Sequence, residues 1–197
     1  MFPLDFRIWN FCYLYSEKLS LVTEFRNQTA LTAIIFKINV IMEQEITLCD
    51  VANYLDNVGI QFLATIGLDG KLKVRPMQYM VLEDEKLWFC TNSKKEVYAE
   101  LLANPCVELC GCKLEKDEMH TPWIRFSAEV VFEERQDIRD AVIDKSAIVN
   151  ALYKNMRDNP IFKVFYLKNI DGWMTNLGHV KGLEKRDEFA KPIHFKF

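Results

Sequence analysis

The chain has 197 residues, 50% hydrophobic and 27% charged, which suffices for one well-packed domain and is too few for two large ones. Its formal net charge is −3 at pH 7, and its lysines and arginines are scattered, which argues against affinity for nucleic acid or anionic membranes. The most apolar run, residues 30–41, is short and interrupted by Lys37 and Asn39. It therefore does not predict a transmembrane helix, and we expect neither a membrane nor a nucleic-acid partner.

The first 41 residues differ from the rest of the chain. They contain no glycine, are rich in aromatic residues, and show neither helical nor strand periodicity. We interpret residues 1–41 as an atypical extension, with Met42 as the native initiator; an arm that packs on the core or on a partner subunit is the alternative. The chain has six cysteines and no evident signal peptide, which predicts free thiols in a reducing cytoplasm.

From residue 47 onward the patterns predict short strands, tight turns and few helices. Thr47 with Asp50 is an N-cap pattern for a helix over 47–57, and Gly59 ends it. Asp69-Gly70 predicts a hairpin turn. The predicted strands are 61–66, 72–82, 86–90, 106–114, 123–132, 162–167 and 173–177, and the further predicted helices are 94–103 and a broken one over 135–153.

Strands joined mostly by tight turns cannot form a doubly wound parallel sheet. They favour a mainly-β (α+β) fold, a small antiparallel barrel with peripheral helices. We place this domain at 42–180 and interpret the charged residues 181–197 as a mobile C-terminal tail.

The stretch from Lys73 to Tyr98 carries the functional signal. A strand with one arginine, Arg75, precedes a return strand that ends in small polar residues and two lysines, where a helix begins. Hydroxyls, helix-start N–H groups and cations at one point suit a phosphate monoester. Lys94 and Lys95 oppose the helix dipole, at a cost of up to about 1 kcal/mol per charge, which a bound anion would offset. A surface ion pair is the alternative role for Arg75.

Six motifs follow one another in a recognisable order: Phe-Leu-Ala-Thr-Ile at 62–66, Asp-Gly at 69–70, Val-Arg-Pro-Met at 74–77, and longer segments at 87–98, 101–111 and 123–132. Together they resemble the pyridoxamine 5′-phosphate oxidase-like family of FMN-binding split barrels. The resemblance covers roughly residues 47–177.

The resemblance implies a homodimer with FMN at the subunit interface, where each site takes residues from both subunits. Arg75 with Lys94 or Lys95 would grip the phosphate, and Thr91 and Ser93 would add hydroxyl and N–H donors. Backbone groups of residues 76–78 would run beside the isoalloxazine edge. The implied cofactor-binding residues are Arg75, Pro76, Met77, Gln78, Cys90, Thr91, Ser93, Lys94 and Lys95.

Three further residues could cover the flavin from the partner subunit: Trp123, Arg125 and Trp173. Core or dimer packing is the preferred role for both tryptophans, because large aromatic side chains usually contribute by burial. Cys90 stands next to the family's conventional threonine, and its thiol is a weak hydrogen-bond donor.

The function implied is that of an FMN-dependent oxidoreductase, flavin reductase-like or nitroreductase-like, with a small unknown substrate and reduced nicotinamide as a plausible donor. We assign no catalytic residue, because the flavin carries the redox chemistry. Oxidation of pyridoxamine 5′-phosphate itself is disfavoured, since Arg186 is the only arginine after Arg157. The alternatives are a non-catalytic flavin- or haem-binding module and a deazaflavin-using relative.

Three cysteines, Cys106, Cys110 and Cys112, invite a zinc interpretation with His120. Their spacing matches none of the usual structural zinc patterns. On a strand all three would point to one side, which favours small buried residues. We therefore predict no metal site.

Overall fold

In the computed structural model of the protein, the described residues are 32, 46–113, 122–153, 157–175 and 192–197. The chain divides into two units, Met1–Glu45 and Ile46–Phe197. The interpretation of residues 1–41 and of Met42 as the initiator falls outside the described residues, apart from Thr32. The description below therefore concerns the second unit.

The second unit consists of short strands with helices between some of them. The helices are α1 (Leu48–Val58), α2 (Glu96–Ala103), α3 (Gln136–Lys145) and α4 (Ala147–Tyr153). The strands are β1 (Gln61–Ile66), β2 (Leu72–Met77), β3 (Tyr79–Glu83), β4 (Lys86–Asn92), β5 (Cys106–Cys112), β6 (Trp123–Phe132), β7 (Phe162–Met174) and β8 (Ile193–Lys196).

The strands form one sheet in the order β2-β1-β5-β6-β7-β4-β3, with β8 paired to β7 and every pair antiparallel. The two end strands, β2 and β3, follow each other in the chain with only Gln78 between them, so the sheet curls until its ends meet. Gln61 joins this seam, because its side-chain oxygen accepts a hydrogen bond from the Tyr79 N–H at 2.7 Å. The predicted barrel with peripheral helices is thereby confirmed.

The local signals read from the sequence have the expected geometry. Thr47 and Asp50 form a capping box at the start of α1, each side chain bonding the other's backbone N–H. Gly59 ends α1 with φ +77°, and Gly70 closes the β1–β2 turn with φ +76°. Both conformations favour glycine because it has no Cβ.

The structure differs from the predicted elements in three places. The predicted strand 72–82 bends at Gln78 into β2 and β3. The predicted strand 162–167 and the first two residues of the predicted strand 173–177 belong to the single strand β7, which ends at Met174 and in which Asn169 has φ +54°. β8 was expected to be part of a mobile tail, yet it pairs with β7 and buries Phe195. The polar residues of β8 made it resemble a tail in the sequence. In the structure two of them, His194 and Lys196, both bond the carboxylate of Asp171.

Two hydrophobic cores lie on opposite sides of the sheet. The first fills the barrel and includes α1 and α2 side chains such as Leu55 and Leu101. The second lies between the outer surface of β3, β4 and β7 and the helix α3. The second core consists of Met80, Trp88, Ile138, Val142, Ile143, Phe162 and Val164.

Candidate functional site

Arg75 points toward the barrel interior from β2. Its Nη1 donates to Oε2 of Glu100 on α2 at 2.6 Å, and 22% of its side chain is exposed. The same Glu100 oxygen accepts the hydroxyl hydrogen of Thr65 at 2.7 Å. Glu100 is buried, and the Arg75 guanidinium, assisted by Thr65, lowers the pKa of its carboxyl group. The ionised carboxylate thus fixes an arginine of β2 against α2.

Glu100 and Thr65 were missed by the sequence analysis. A signal was present, because Glu100 follows Val97 by three residues and precedes Leu101, which places a carboxylate on the apolar face of α2. A buried carboxylate at such a position requires partners. Arg75 is therefore ion-paired, but its partner is a buried helix residue and not the surface neighbour of the alternative interpretation.

Several N–H groups of the turn between β4 and α2 already donate hydrogen bonds within the protein. The N–H of Ser93 donates to the Ile161 carbonyl at 2.8 Å, and the N–H groups of Lys94 and Lys95 donate to Asn92. The first N–H groups of α2, at Glu96 and Val97, have no partner within the helix. Lys95, the N-cap residue of α2, makes no side-chain capping bond. The Ser93 hydroxyl, the exposed ammonium groups of Lys94 and Lys95, and the first N–H groups of α2 are therefore the donors that this turn can offer.

Strand alternation separates two of the predicted ligands. Thr91 is buried on the face of β4 that carries the first-core residue Phe89, whereas Cys90 packs against the second core. Burial raises the pKa of the Cys90 thiol to about 11, and Lys95 only partly counteracts this. The thiol of Cys90 therefore points away from the face that carries Thr91.

The remaining predicted ligands lie where β2 meets β3. Met77 is half-buried against the first core, on the same face of β2 as Arg75. Pro76 is exposed on the opposite face, across from Phe62 of β1. Gln78 is exposed at the bend. Lys73, also on the Arg75 face, bonds Asp69 at 3.2 Å, so it is held within the β1–β2 hairpin.

The opposite surface of the barrel, which we name the exposed sheet face, carries outward side chains of β2, β1, β5, β6 and β7. Its large exposed hydrophobic members are Phe62, Ile66, Leu72, Val74 and Trp173. One register row runs Pro76–Phe62–Cys110–Arg125–Trp173–His194 across six strands. Several large apolar side chains exposed together on one sheet face are characteristic of an interaction surface.

Two clefts lie on this exposed sheet face and share Trp123 and Arg125. One, of about 340 Å³, also contacts Phe62, Cys110 and Cys112, and the other, of about 450 Å³, extends to Trp173. The guanidinium carbon of Arg125 lies 5.8 Å from the Trp123 ring centroid, within cation–π range. The structure thus brings together Trp123, Arg125 and Trp173, the three residues considered as a flavin cover.

The cysteines of β5 lie on one side of the strand, as the alternation predicts. The expectation that they are buried is wrong, since Cys106, Cys110 and Cys112 are all exposed. Within the described ranges no group of three or more His, Cys, Asp or Glu residues is arranged to hold a metal ion. His120 lies outside those ranges.

The fold and the sequence together define the class of protein. The curled antiparallel sheet with peripheral helices is a split barrel, and the family model for pyridoxamine 5′-phosphate oxidase matches residues 51–176. The chain belongs to this family, which confirms the resemblance seen in the sequence. A comparison with curated proteins found no match.

Solved structures share the fold. A NimC/NimA family protein from Clostridium acetobutylicum is 23% identical, with a TM-score of 0.55 over 73% of this chain and 87% of that chain. A protein of the same organism related to general stress protein 26, of the pyridoxinephosphate oxidase family, is 15% identical, with a TM-score of 0.53 over 76% and 93%. A heme binding protein from Mycobacterium smegmatis is 14% identical, with a TM-score of 0.54 over 77% and 59%.

Within the described residues, no helix is both long enough and apolar enough to cross a membrane.

Proposed function

We propose that the protein is an FMN-dependent oxidoreductase that acts on a small substrate in the cytoplasm. The observation that supports this most is the placement of Arg75, which Glu100 holds at 2.6 Å against the helix that follows the Thr91–Lys95 turn. A fixed guanidinium and an uncapped helix start belong to one packed unit. Both are groups that bind phosphate.

The donor set fits the phosphate end of FMN. Arg75 has five N–H donors and uses one of them on Glu100, while Lys94 and Lys95 are exposed at the helix start. The Ser93 hydroxyl and the first N–H groups of α2 complete the set. Thr91 and the backbone of residues 76–78 would lie along the rest of the cofactor, by family resemblance. Cys90 is left out, because its thiol packs against the second core.

When bound, FMN would supply the hydride or electron transfer. The chain would bind the phosphate and orient the ring, and we assign it no dedicated acid or base. Reduced nicotinamide is the proposed donor, and a small aromatic, nitro or quinone-like molecule that stacks on the ring is the proposed acceptor.

The test begins with the visible absorption spectrum of the purified protein, followed by release of the cofactor and its identification by mass. We expect FMN, and we expect reduced nicotinamide to bleach the flavin bands in the absence of oxygen. A colourless protein that takes up no added FMN would overturn the proposal. Bound FMN that no nicotinamide reduces would instead support a flavin-binding module without turnover.

We further propose that a second copy of the chain covers the exposed sheet face and forms a homodimer. The cofactor sites would then lie where this interface reaches the end strand β2, which carries Val74 on the exposed sheet face and Arg75 on the other. The support is that face's exposed apolar side chains together with the family resemblance. A charged Val74→Glu substitution, at a 65% exposed position on this face, should convert a dimer into a monomer in analytical ultracentrifugation. The matched control is Ile148→Glu, at a 71% exposed position on α4, which should remain dimeric. A monomeric wild-type protein would contradict this part of the proposal.

Haem binding is the second candidate, favoured by the shared fold with the Mycobacterium smegmatis heme binding protein. His194, a possible iron ligand on the exposed sheet face, bonds Asp171 at 2.7 Å and contacts the Trp173 ring. The same absorption measurement separates the two candidates, since haem shows a Soret band and flavin does not. A released cofactor with the mass of a deazaflavin would instead identify the protein as a deazaflavin-using relative.

A further inference from the structure

Glu100 is a buried carboxylate whose position in the protein requires a physical reason. It lies on the apolar face of α2 with 2% of its surface exposed, a position where an unpaired charge would be strongly destabilising. One of its oxygens, Oε2, accepts hydrogen bonds from both Thr65 and Arg75. The three side chains come from β1, β2 and α2, so the carboxylate joins two strands to a helix.

The arginine that it holds is not fully enclosed. The Arg75 side chain is 22% exposed, against 3% for the side chain of Glu100, and within the described residues the guanidinium donates through Nη1 to Glu100 alone. A purely structural buried pair of this kind is often no more stable than apolar residues of the same size. Here a partly exposed arginine is bonded to a buried carboxylate through one of its nitrogens. This arrangement is expected when the other N–H groups of the guanidinium must be held in one direction.

We propose that Glu100, supported by Thr65, is a positioning residue that orients Arg75 toward the phosphate of the bound flavin. This inference rests on the proposed function. Glu100 does not itself touch the phosphate, since two like charges would repel. It fixes one edge of the guanidinium so that the other edge is available without the entropy loss of ordering a long side chain on binding.

A role of Glu100 in the charge of the site and a role in orienting Arg75 predict opposite changes in FMN affinity when Glu100 is removed. If only charge mattered, Glu100→Ala would leave Arg75 unpaired and FMN would bind more tightly. If orientation matters, FMN binding weakens. Riboflavin lacks the phosphate, so the ratio of the riboflavin Kd to the FMN Kd isolates the contribution of the phosphate.

We expect Glu100→Ala to reduce that ratio by about tenfold, the usual effect of losing a charge-assisted hydrogen bond, with little change in riboflavin affinity. Glu100→Gln keeps an acceptor for Arg75 and should recover most of the ratio. Thr65→Val, which removes only the supporting bond, should reduce it by about threefold and is the working variant if Glu100→Ala does not fold. Thr65→Ser, which keeps the hydroxyl, should match the wild type.

The control for net charge is Glu133→Ala. Glu133 is also an ion-paired glutamate, bonded at 3.4 Å to Lys86, which lies over the ring of the second-core residue Trp88. Its loss therefore changes the charge of the protein equally, away from the exposed sheet face. It should leave the ratio unchanged.

A wild-type protein that prefers FMN, with an unchanged or increased ratio in both Glu100→Ala and Thr65→Val, overturns this inference and leaves the proposed function intact. A wild-type protein that binds FMN no better than riboflavin overturns the phosphate site itself, and this inference with it.

Discussion

The outer surface of the barrel has two halves, one over β3, β4 and the first part of β7 and one over β2, β1 and β5. Both carry apolar side chains, but a helix covers only the first half. Over β3, β4 and the first part of β7, helix α3 closes on the second core, and Trp88 is completely buried. Over β2, β1 and β5, equally apolar side chains such as Phe62 and Val74 remain exposed. Apolar outward residues thus do not distinguish a helix-covered face from an exposed one, and the exposed half is the one that we propose a second copy covers.

The strongest test of this comparison makes the same substitution on both halves. Trp88→Ala should lower the free energy of unfolding by about 3–5 kcal/mol, because Trp88 is buried and its Nε1 donates to the Glu83 carbonyl. Trp173→Ala, at a position 43% exposed, should cost less than about 1 kcal/mol in the monomer. Urea unfolding of both variants in the monomeric Val74→Glu background measures the difference. Equal losses would show that the two halves are not covered differently.

A second test concerns the sheet itself beneath the exposed face. A Cβ on Gly172 would lie 2.3 Å from Phe126 Cβ and 2.4 Å from the Arg125 carbonyl oxygen, so β6 and β7 would have to separate. Gly172→Ala should therefore lower the free energy of unfolding by about 1–3 kcal/mol.

Gly111→Ala is the matched control for this steric argument. Its nearest neighbour, Val58 Cγ1, would lie 3.1 Å away and belongs to a side chain that can shift. The loss of unfolding free energy should be smaller, and a larger loss than that of Gly172→Ala would contradict the argument.

A third test measures how the stability contributed by the Arg75–Glu100 ion pair, which joins β2 to α2, depends on pH. The pKa of Glu100 is lower in the folded protein than its usual 4.5, so the pair contributes stability above that value. The contribution is lost as pH falls below 4.5 through the folded-state pKa. The stability difference between wild type and Glu100→Gln should thus be constant at neutral pH and shrink in acid. Denaturant unfolding over this pH range measures it, and a difference that grows in acid would contradict the pairing.

The smallest expected effect is a difference in the alkylation rates of the cysteines, which requires no change in stability. Cys90 in the helix-covered half should resist alkylation at neutral pH, because burial raises its thiol pKa to about 11 and only the thiolate reacts. If a second copy covers the exposed sheet face as proposed, Cys110 and Cys112 should be protected in the wild type and react in Val74→Glu. Cys49 on α1 is exposed away from that face and should react in both. Mass spectrometry of labelled peptides gives the rates; Cys110 reacting equally fast in both proteins would contradict coverage by a second copy.

The elements with local signals were predictable from the sequence. The Thr47–Asp50 capping box, the Asp69-Gly70 turn and strand 123–132 all appear as expected, because their geometry depends on neighbouring residues. β8 was not predictable, since its pairing with β7 depends on a distant strand and its charges resemble those of a tail. The bend at Gln78 was missed for the same reason: the barrel's closure, not the local sequence, requires it.

The candidate site was predictable in outline only. Arg75 and the Thr91–Lys95 turn were identified from residue chemistry, yet neither Glu100 nor Thr65 was, because a glutamate in a helix is ordinarily solvated. Cys90 was taken for a ligand because it neighbours Thr91, and strand alternation places the two on opposite faces. Contacts between separate elements decided the cases of Glu100 and Thr65, whereas the alternation along β4 was a local signal that could have excluded Cys90.

The pairing of β4 with β7 has a consequence for how the protein folds. Leu87 pairs with Leu167, so this ladder cannot form until nearly the whole described chain has been synthesised, whereas the hairpins β1–β2 and β3–β4 are local. Such a high contact order predicts slow folding. Until β7 arrives, the early hairpins carry unpaired edges and apolar faces, the state in which a nascent chain most needs chaperones.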